Sequence, residues 1–243
     1  MTIATAAVPV RRSALEAVHR RLAPAGDDAR RHWPMSYGDP DGERAAVVET
    51  IALAEPGLYD KWIVRGRGAL AACRACGLDG RPGSFTPAVP GGINIWTIAD
   101  DEVWLVADAP IPGGPPIAAL DFGPVVASLR AAATFVTDVS SGWAMLRLVG
   151  PRVRDLLEEL VAEDLSAAVV PDLAILQVPL AGCRVILSRR DYEAVPGFTL
   201  LVARDEAEYL WEVITHLGEP HAIRPVGTAA LLPASSMATG VTR

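Results

Sequence analysis

The stretch from Glu43 to Cys76 reads ERAAVVETIALAEPGLYDKWIVRGRGALAACRAC and decides the fold. Its first part predicts a helix over Asp41 to Leu53, because apolar residues recur there at helical spacing. The residues expected to face inward are Ala45, Val48, Ile51 and Ala52. A short strand from Trp62 to Val64 follows, and Gly68 to Cys76 predicts a second helix. Helices and strands that mix in this way are typical of an α+β protein.

The rest of the chain extends the same pattern. Gly77 to Pro90 is rich in glycine and proline and predicts a loop. A hairpin follows, with strands from Ile93 to Ile98 and from Val103 to Ala107. Further strands are predicted at 134–139, 143–149, 173–178, 183–188, 198–203 and 221–224, and further helices at 13–22, 125–130, 152–161 and 206–217. This order predicts antiparallel sheets rather than a parallel α/β sheet.

The Glu43–Cys76 stretch resembles the folate-binding region of the glycine-cleavage aminomethyltransferases, where a strand ending in Val-Arg-Gly lies between two helices. Three other segments, one before this stretch and two after it, also resemble the family and occur in the same order along the chain: Trp33–Pro40, Leu146–Pro151 and Arg224–Gly227. The resemblance covers roughly residues 13 to 230. It implies two intertwined or duplicated lobes of antiparallel sheet, with helices around a central funnel. We expect lobes over residues 13–116 and 117–230, with flexible tails at 1–12 and 231–243.

The chain departs from the family where folate chemistry takes place. The family carries an acidic pair shortly after a Gly-Gly, but here Gly91-Gly92 is followed by Ile93-Asn94-Ile95-Trp96. A second family segment, Tyr-Thr-Gly-Glu, holds the pterin through its glutamate. The corresponding Arg189–Phe198 segment keeps the arginine and the tyrosine but has Val195 where the glutamate belongs. The scaffold is therefore retained while both carboxylate sites are altered.

Arg189 and Tyr192 are the first candidate site residues, since both fall on retained family positions. An arginine binds a carboxylate through two parallel hydrogen bonds, and a phenol donates one oriented hydrogen bond. The alternative is a solvated surface strand, in which Asp191 and Glu193 would share the face opposite Tyr192. A shift of one residue would let Glu193 replace the missing glutamate.

Asn94, Trp96 and Asp60 complete the set of candidates. Asn94 and Trp96 point to the same side of a strand, and facing the funnel they would bind a planar ligand by hydrogen bonding and stacking. The alternative is a core tryptophan and an internally bonded asparagine. Asp60 lies in the turn before the first strand and is the nearest spare carboxylate, although such turns are usually only solvated.

Composition excludes several classes of function. A net charge of −7 argues against a general binder of nucleic-acid phosphates. No apolar run reaches the roughly 20 residues that span a bilayer, and the N-terminus lacks the charge order of a signal peptide, so we expect a cytoplasmic protein. Cys73 and Cys76 are interpreted as two residues on one helix face, and the scattered histidines predict no metal site. We expect His19 and His216 on helix surfaces.

Three functions remain open. The first is an aminomethyltransferase-like enzyme that transfers a one-carbon unit with tetrahydrofolate in a remodelled pocket, or that acts on another small planar or carboxylated substrate. The second is a non-catalytic accessory subunit, because a similarly shortened two-lobe form resembles the gamma subunit of heterotetrameric sarcosine oxidase. This hypothesis implies a protein partner, with a homo-oligomer as the alternative. The third is a repurposed enzyme that binds no folate, since fold does not fix function.

Overall fold

The computed structural model describes residues 12–22, 34–56, 60–87, 93–107, 123–132, 135–192 and 195–231. Within these ranges the α-helices are α1 (Glu16–Leu22), α2 (Pro40–Glu49), α3 (Ala69–Ala75), α4 (Gly123–Ala131), α5 (Val153–Leu160) and α6 (Ala207–Gly218). The strands are β1 (Ile51–Ala54), β2 (Lys61–Arg65), β3 (Ser84–Pro87), β4 (Ile93–Ala99), β5 (Glu102–Ala107), β6 (Phe135–Asp138), β7 (Trp143–Val149), β8 (Ile175–Leu180), β9 (Cys183–Arg189), β10 (Gly197–Ala203) and β11 (Ile223–Pro225).

These strands form two sheets. A six-stranded sheet has the order β11-β1-β7-β10-β9-β8, and a five-stranded sheet has the order β3-β4-β5-β2-β6. Their pairings are antiparallel except for β1 with β11, which is parallel. The prediction of an α+β fold with antiparallel sheets is confirmed.

The predicted helix over Asp41 to Leu53 is wrong in its second half. α2 ends at Glu49, and Ile51 begins β1, whose four residues are all fully buried. Val48, expected to face inward, is 56% exposed. A run of four apolar residues is compatible with a helix and with a strand buried on both faces. Here it forms a strand, because it pairs with β7 on one side and β11 on the other. The predicted loop Gly77–Pro90 likewise contains β3.

Helices cover the outer faces of both sheets. Leu148 and Phe198 of the six-stranded sheet pack in one core cluster with Val18 of α1, Leu156 of α5 and Leu210 of α6. The five-stranded sheet packs its outer face against helices that contribute Leu70 of α3 and Leu129 of α4 to a second cluster. The same cluster contains Met145, Ile186 and Leu201 of the six-stranded sheet, so the inner faces of the two sheets pack against each other.

The two halves of the chain are interlocked. β1 belongs to the first half of the chain but pairs with β7 and β11 in the six-stranded sheet. β6 belongs to the second half but pairs with β2 in the five-stranded sheet. The sheets also join directly where Phe85 N donates to Leu173 O at 2.8 Å and Ile175 N donates to Gly83 O at 2.9 Å. A boundary between lobes at residues 116 and 117 stays a prediction.

Candidate functional site

The candidate site lies between the inner faces of the two sheets. In the five-stranded sheet the register places Lys61, Val106 and Asn94 side by side in one row. The next row on the same face contains Ile63, Trp104, Trp96 and Phe85. Side chains on a strand alternate between faces, so both rows point the same way. We call the surface made by these seven residues the inner surface of the five-stranded sheet.

Aromatic contacts establish that this surface faces the six-stranded sheet. The ring of Trp104 meets that of Trp143 on β7 edge to face, with centroids 4.9 Å apart. The guanidinium of Arg190, just after β9, lies over the ring of Phe85 at 5.4 Å from the centroid. Trp96 meets Phe85 edge to face at 6.2 Å. The site is therefore walled by aromatic side chains from both sheets.

The inner surface of the six-stranded sheet carries polar groups at its centre. We define it by Trp143, Met145, Arg147, Ser188 and Thr199, which alternate with outward-facing core residues. Arg147 donates from Nη1 to Thr199 Oγ1 at 3.3 Å and from Nη2 to the backbone oxygen of Arg190 at 3.1 Å. Gly197 makes room for this arrangement, because a Cβ at that position would lie 2.4 Å from Arg190 O. The arginine is thus held in place by the backbone around it.

Asn94 and Trp96 share one face of β4, and that face is turned toward the six-stranded sheet. Asn94 is 6% exposed and Trp96 is 3% exposed, so both are nearly buried. The indole N–H of Trp96 has no hydrogen-bond partner among the described residues. Trp96 also packs in the core cluster, as the alternative interpretation expected. A buried donor without a partner is rare in proteins.

Arg189 is not brought to this site. It pairs with Phe198 across the sheet and shares its outer face, which the helices cover. Its guanidinium forms two parallel hydrogen bonds with Asp191, at 3.0 and 2.9 Å, and donates to Val170 O at 2.7 Å. With 7% exposure and these partners, Arg189 holds the 170–191 region together.

Tyr192 and Asp60 lie at the edges of the interior. Tyr192 is half-buried and packs against the cluster of Ala46, Ala52 and Val226, beside α2. Its backbone N–H donates to Val195 O at 2.7 Å and its backbone oxygen accepts from Val195 N at 2.8 Å, and it lies beyond the end of β9 at Arg189. Asp60 is half-buried immediately before β2, and its backbone oxygen accepts from Ala107 N at 2.8 Å. Glu193 lies outside the described residues.

Sequence reasoning missed three cations of this interior. Lys61 is buried in the same row as Asn94, with Val106 between them, whereas Arg147 belongs to the six-stranded sheet and Arg190 is the residue after β9. Lys61 and Arg147 stand inside two of the quoted family segments, KWIVRG and LRLVGP. Each is a charged residue within a strand, at a position where the alternation of side chains turns it toward the interior. The sheet partners of each strand were needed to recognise it.

A second polar cluster lies outside this interior, around His19. The prediction that His19 is a helix-surface residue is wrong, because it is 6% exposed. Its Nε2 lies 2.6 Å from Glu55 Oε2 and its Nδ1 lies 2.7 Å from Tyr37 Oη. Ser13 Oγ also donates to Glu55. Burial raises the pKa of the Tyr37 phenol far above its ordinary range, and Glu55 and Glu43 act in the same direction, so Tyr37 stays protonated.

The cysteines show no sign of a redox pair. All three are free thiols, and Cys73 is fully buried. Burial raises the pKa of the Cys73 thiol to about 11, with a smaller contribution from Cys76. A thiol at neutral pH with that pKa is a poor nucleophile. Among the described residues no group of histidine, cysteine or carboxylate side chains is arranged to hold a metal ion.

Two interlocked antiparallel sheets with helices packed against them place the chain in the α+β class. The chain belongs to the GCVT N-terminal domain family, whose model matches residues 95–233, more than half of the chain. An aminomethyltransferase of Saccharopolyspora erythraea is 34% identical over 90 residues, which are 37% of this chain and 24% of that protein. The aminomethyltransferase of Deinococcus deserti is 25% identical over 239 residues, which are 91% of this chain and 62% of that protein. The chain thus spans less than two thirds of the length of these relatives.

Solved structures agree on the fold. Aminomethyltransferase T of the glycine cleavage system from Bartonella henselae has a TM-score of 0.67 at 18% identity, covering 92% of this chain and 61% of that one. A chain of heterotetrameric sarcosine oxidase from Corynebacterium sp. U-96 has a TM-score of 0.59 at 19% identity, covering 81% of this chain and 99% of that one. In the part of the chain that the structure describes, the helices are too short or too polar to cross a membrane.

Proposed function

We propose that this chain binds tetrahydrofolate, or a similarly planar and carboxylated small molecule, between its two sheets and serves one-carbon transfer. The observation that carries the proposal is the buried pair Asn94 and Trp96 on the inner surface, with the indole N–H of Trp96 unpartnered. Membership of a family that includes aminomethyltransferases supports the same conclusion.

The residues of the interior fit such a ligand by their chemistry. Trp96 and Phe85 offer apolar ring surface for a planar ring system, and Asn94 can both donate and accept a hydrogen bond. Arg147 can hold a carboxylate in the two-pronged manner of a guanidinium. We assign carboxylate binding to Arg147 in place of Arg189, because Arg189 lies on the outer face of the six-stranded sheet. Tetrahydrofolate, when bound, would supply the carrier for the one-carbon unit.

Asp60 and Tyr192 are the proposed catalytic residues. Both are half-buried at the edge of the interior. A carboxylate can accept a proton and a phenol can donate one to a reacting group within hydrogen-bond reach. Glu193 follows Tyr192 directly in the chain and is proposed as a further binding residue.

A thermal-shift titration with tetrahydrofolate and with 5-formyltetrahydrofolate tests the proposal. A ligand that binds only the folded state stabilises it by about 2.7 kcal/mol at a hundred times its Kd. We expect a saturable rise in Tm that is lost in Asn94→Leu and Arg147→Leu. Arg130→Ala, an exposed change on α4, is the control and should keep the full rise. Absence of any shift with either ligand at millimolar concentration would contradict the proposal.

A second candidate is an accessory subunit of an amine-oxidising assembly. It is favoured by the sarcosine oxidase chain that this fold matches over 99% of its length. Such a subunit needs an apolar surface for its partner. Phe135 at the edge strand β6 is 74% exposed and Val169 is 56% exposed. Light scattering after size-exclusion chromatography separates the candidates: an accessory subunit should self-associate without its partner, whereas a stable monomer that binds folate counts against this role.

A further inference from the structure

We infer that the two sheets open at one edge, where β3 meets the residues that lead into β8, and that a ligand enters the interior there. We call the segments 83–85 and 173–175, which meet at this edge, the junction. The entry of a ligand rests on the proposed function, whereas the opening is a property of the fold that can be measured without any ligand.

The chain passes from one sheet to the other at the opposite edge. Among the described strands these passages run from β1 to β2 and from β6 to β7. β2 and β6 are neighbours at one end of the five-stranded sheet, and β1 and β7 are neighbours in the six-stranded sheet. β3 and β8 are edge strands, with β3 at the far end of the five-stranded sheet from β6. Covalent connections therefore hold the sheets together on one side, and noncovalent contacts hold them on the other.

The junction is short compared with the ladders inside each sheet. Phe85 N donates to Leu173 O at 2.8 Å. Ile175 N donates to Gly83 O at 2.9 Å. The guanidinium of Arg190 lies over the ring of Phe85, 5.4 Å from its centroid. β7 and β10, by contrast, pair over the whole of both strands. The junction is thus the weakest of these links between strands.

Each side of the junction is also bound to its own sheet. Gly83 N donates to Thr97 O of β4 at 2.8 Å, and Leu173 N donates to Arg189 O of β9 at 2.9 Å. The two segments can therefore part without either of them leaving its sheet. Leu173 has a φ of +66°, a left-handed conformation that strains a side chain of this size. Such strain persists only where surrounding contacts impose it, so it lowers the cost of losing the contact at Leu173 O.

Opening at the junction would uncover the aromatic part of the interior. Phe85 meets Trp96 edge to face, and the two side chains are 4% and 3% exposed. Both pack in one core cluster with Ile175, so the closed state is the more stable one and the open state is a minor population. Because Asn94 and Trp96 are nearly buried, a ligand reaches them only after the sheets part.

Amide hydrogen exchange, followed by NMR on the full chain without ligand, tests the opening. The amides of Phe85 and Ile175 are compared with that of Val139, which donates to Lys61 O at 2.9 Å at the opposite edge. We expect the two junction amides to exchange about tenfold faster than that of Val139, because local opening exposes them first. The indole N–H of Trp96 should exchange through the same opening.

A disulfide across the junction tests whether this opening admits the ligand. Ser84 and Ala174 form a non-hydrogen-bonded antiparallel pair. In such a pair the Cα atoms lie about 4.5 Å apart, within the roughly 4.4–6.8 Å that a disulfide spans. The variant combines Ser84→Cys and Ala174→Cys with Cys76→Ser, which removes the half-buried native thiol. Oxidation should slow both the exchange of the Trp96 indole N–H and the association of tetrahydrofolate by about tenfold or more, and reduction should restore both.

The reduced variant is the matched control, since it has the same side chains, and its Tm reports whether the fold is intact. Junction amides that exchange no faster than Val139 in the wild-type chain would overturn the inference, whether or not the variant folds. It would also be overturned if the Trp96 indole N–H exchanged, or tetrahydrofolate associated, equally fast in the oxidised and reduced forms. Failure of tetrahydrofolate to bind the wild-type chain would contradict the proposed function, while the exchange rates would still decide whether the junction opens.

Discussion

His19 ties the first helix to the segment that follows β1. Its imidazole contacts Glu55 and Tyr37, and the ring of Trp211 on α6 meets it edge-on at 6.1 Å between centroids. Glu55 is 3% exposed, so its carboxylate depends on these protein partners in place of water. One side chain therefore connects α1, α6 and the Pro34–Gly38 region.

Replacing His19 should be far more costly than replacing another helix histidine. His19→Leu leaves the buried Glu55 carboxylate without its imidazole hydrogen bond, and a buried charged group that loses a hydrogen-bond partner typically costs about 3 kcal/mol. His216→Ala, an exposed position on α6, should change the free energy of unfolding by less than about 0.5 kcal/mol. Urea-induced unfolding at pH 7 measures both values. Similar losses for the two variants would show that the cluster around Glu55 is not a stabilising one.

At the scale of secondary-structure elements, one glycine lets the end of β7 lie close to the link between α2 and β1. Gly150 follows β7 with a φ of +151°, and its backbone N–H donates to Pro196 O at 3.0 Å. A Cβ at this position would lie 2.1 Å from Thr50 O, in the link between α2 and β1. The glycine thus permits the close approach that lets β1 pair with β7.

Gly150→Ala is expected to destabilise the fold by about 3 kcal/mol, since it combines an unfavourable φ with a backbone clash. Gly182→Ala is the matched control: its φ is +84°, but nothing lies within 4 Å of the added Cβ. That change should cost only about 1–2 kcal/mol, the conformational term alone. Chemical denaturation of the three proteins gives the comparison. If the two variants lose the same amount, the contact with Thr50 does not limit the packing.

Across the whole molecule, the interlocked sheets predict that neither half of the chain folds alone. A fragment of residues 1–116 lacks β7 and β11, which hold β1 from both sides, and a fragment of residues 117–243 lacks β2, the partner of β6. We expect neither fragment to show a cooperative thermal transition by circular dichroism, whereas the two co-expressed should yield a folded complex. A cooperative transition in either fragment by itself would instead support an independent lobe that ends at residue 116.

Much of the fold followed from local pattern. The hairpin of β4 and β5, the strand β7 with the helix α5 after it, and the helix α6 lie within two residues of their predicted positions. Their periodicities are clear and their ends carry turn residues. β1 was missed, because Ile51–Ala54 is buried on both faces and shows no alternation. β3 was missed because its sequence, SFTP, is short and lies in a glycine- and proline-rich run.

The candidate site was predictable only in part. The spacing of Asn94 and Trp96 fixed that they share a face, and the structure places that face toward the other sheet. Arg189 could not be assigned correctly, because the face of a strand that points inward depends on which strands flank it. The same limit applied to His19. Its burial depends on contacts with Glu55 and Tyr37, which are distant in the sequence.

The sequence by itself determined the α+β class, the family and the departures from it at Asn94, Trp96 and Val195, because these depend on residue identity and order along the chain. The tertiary structure alone decided which side chains meet. It paired β1 with strands of the second half and β6 with a strand of the first half, buried Arg189 against Asp191, and set the Arg190 guanidinium over the ring of Phe85. Pairings between residues distant in sequence are set by packing of the whole chain, and no local pattern encodes them.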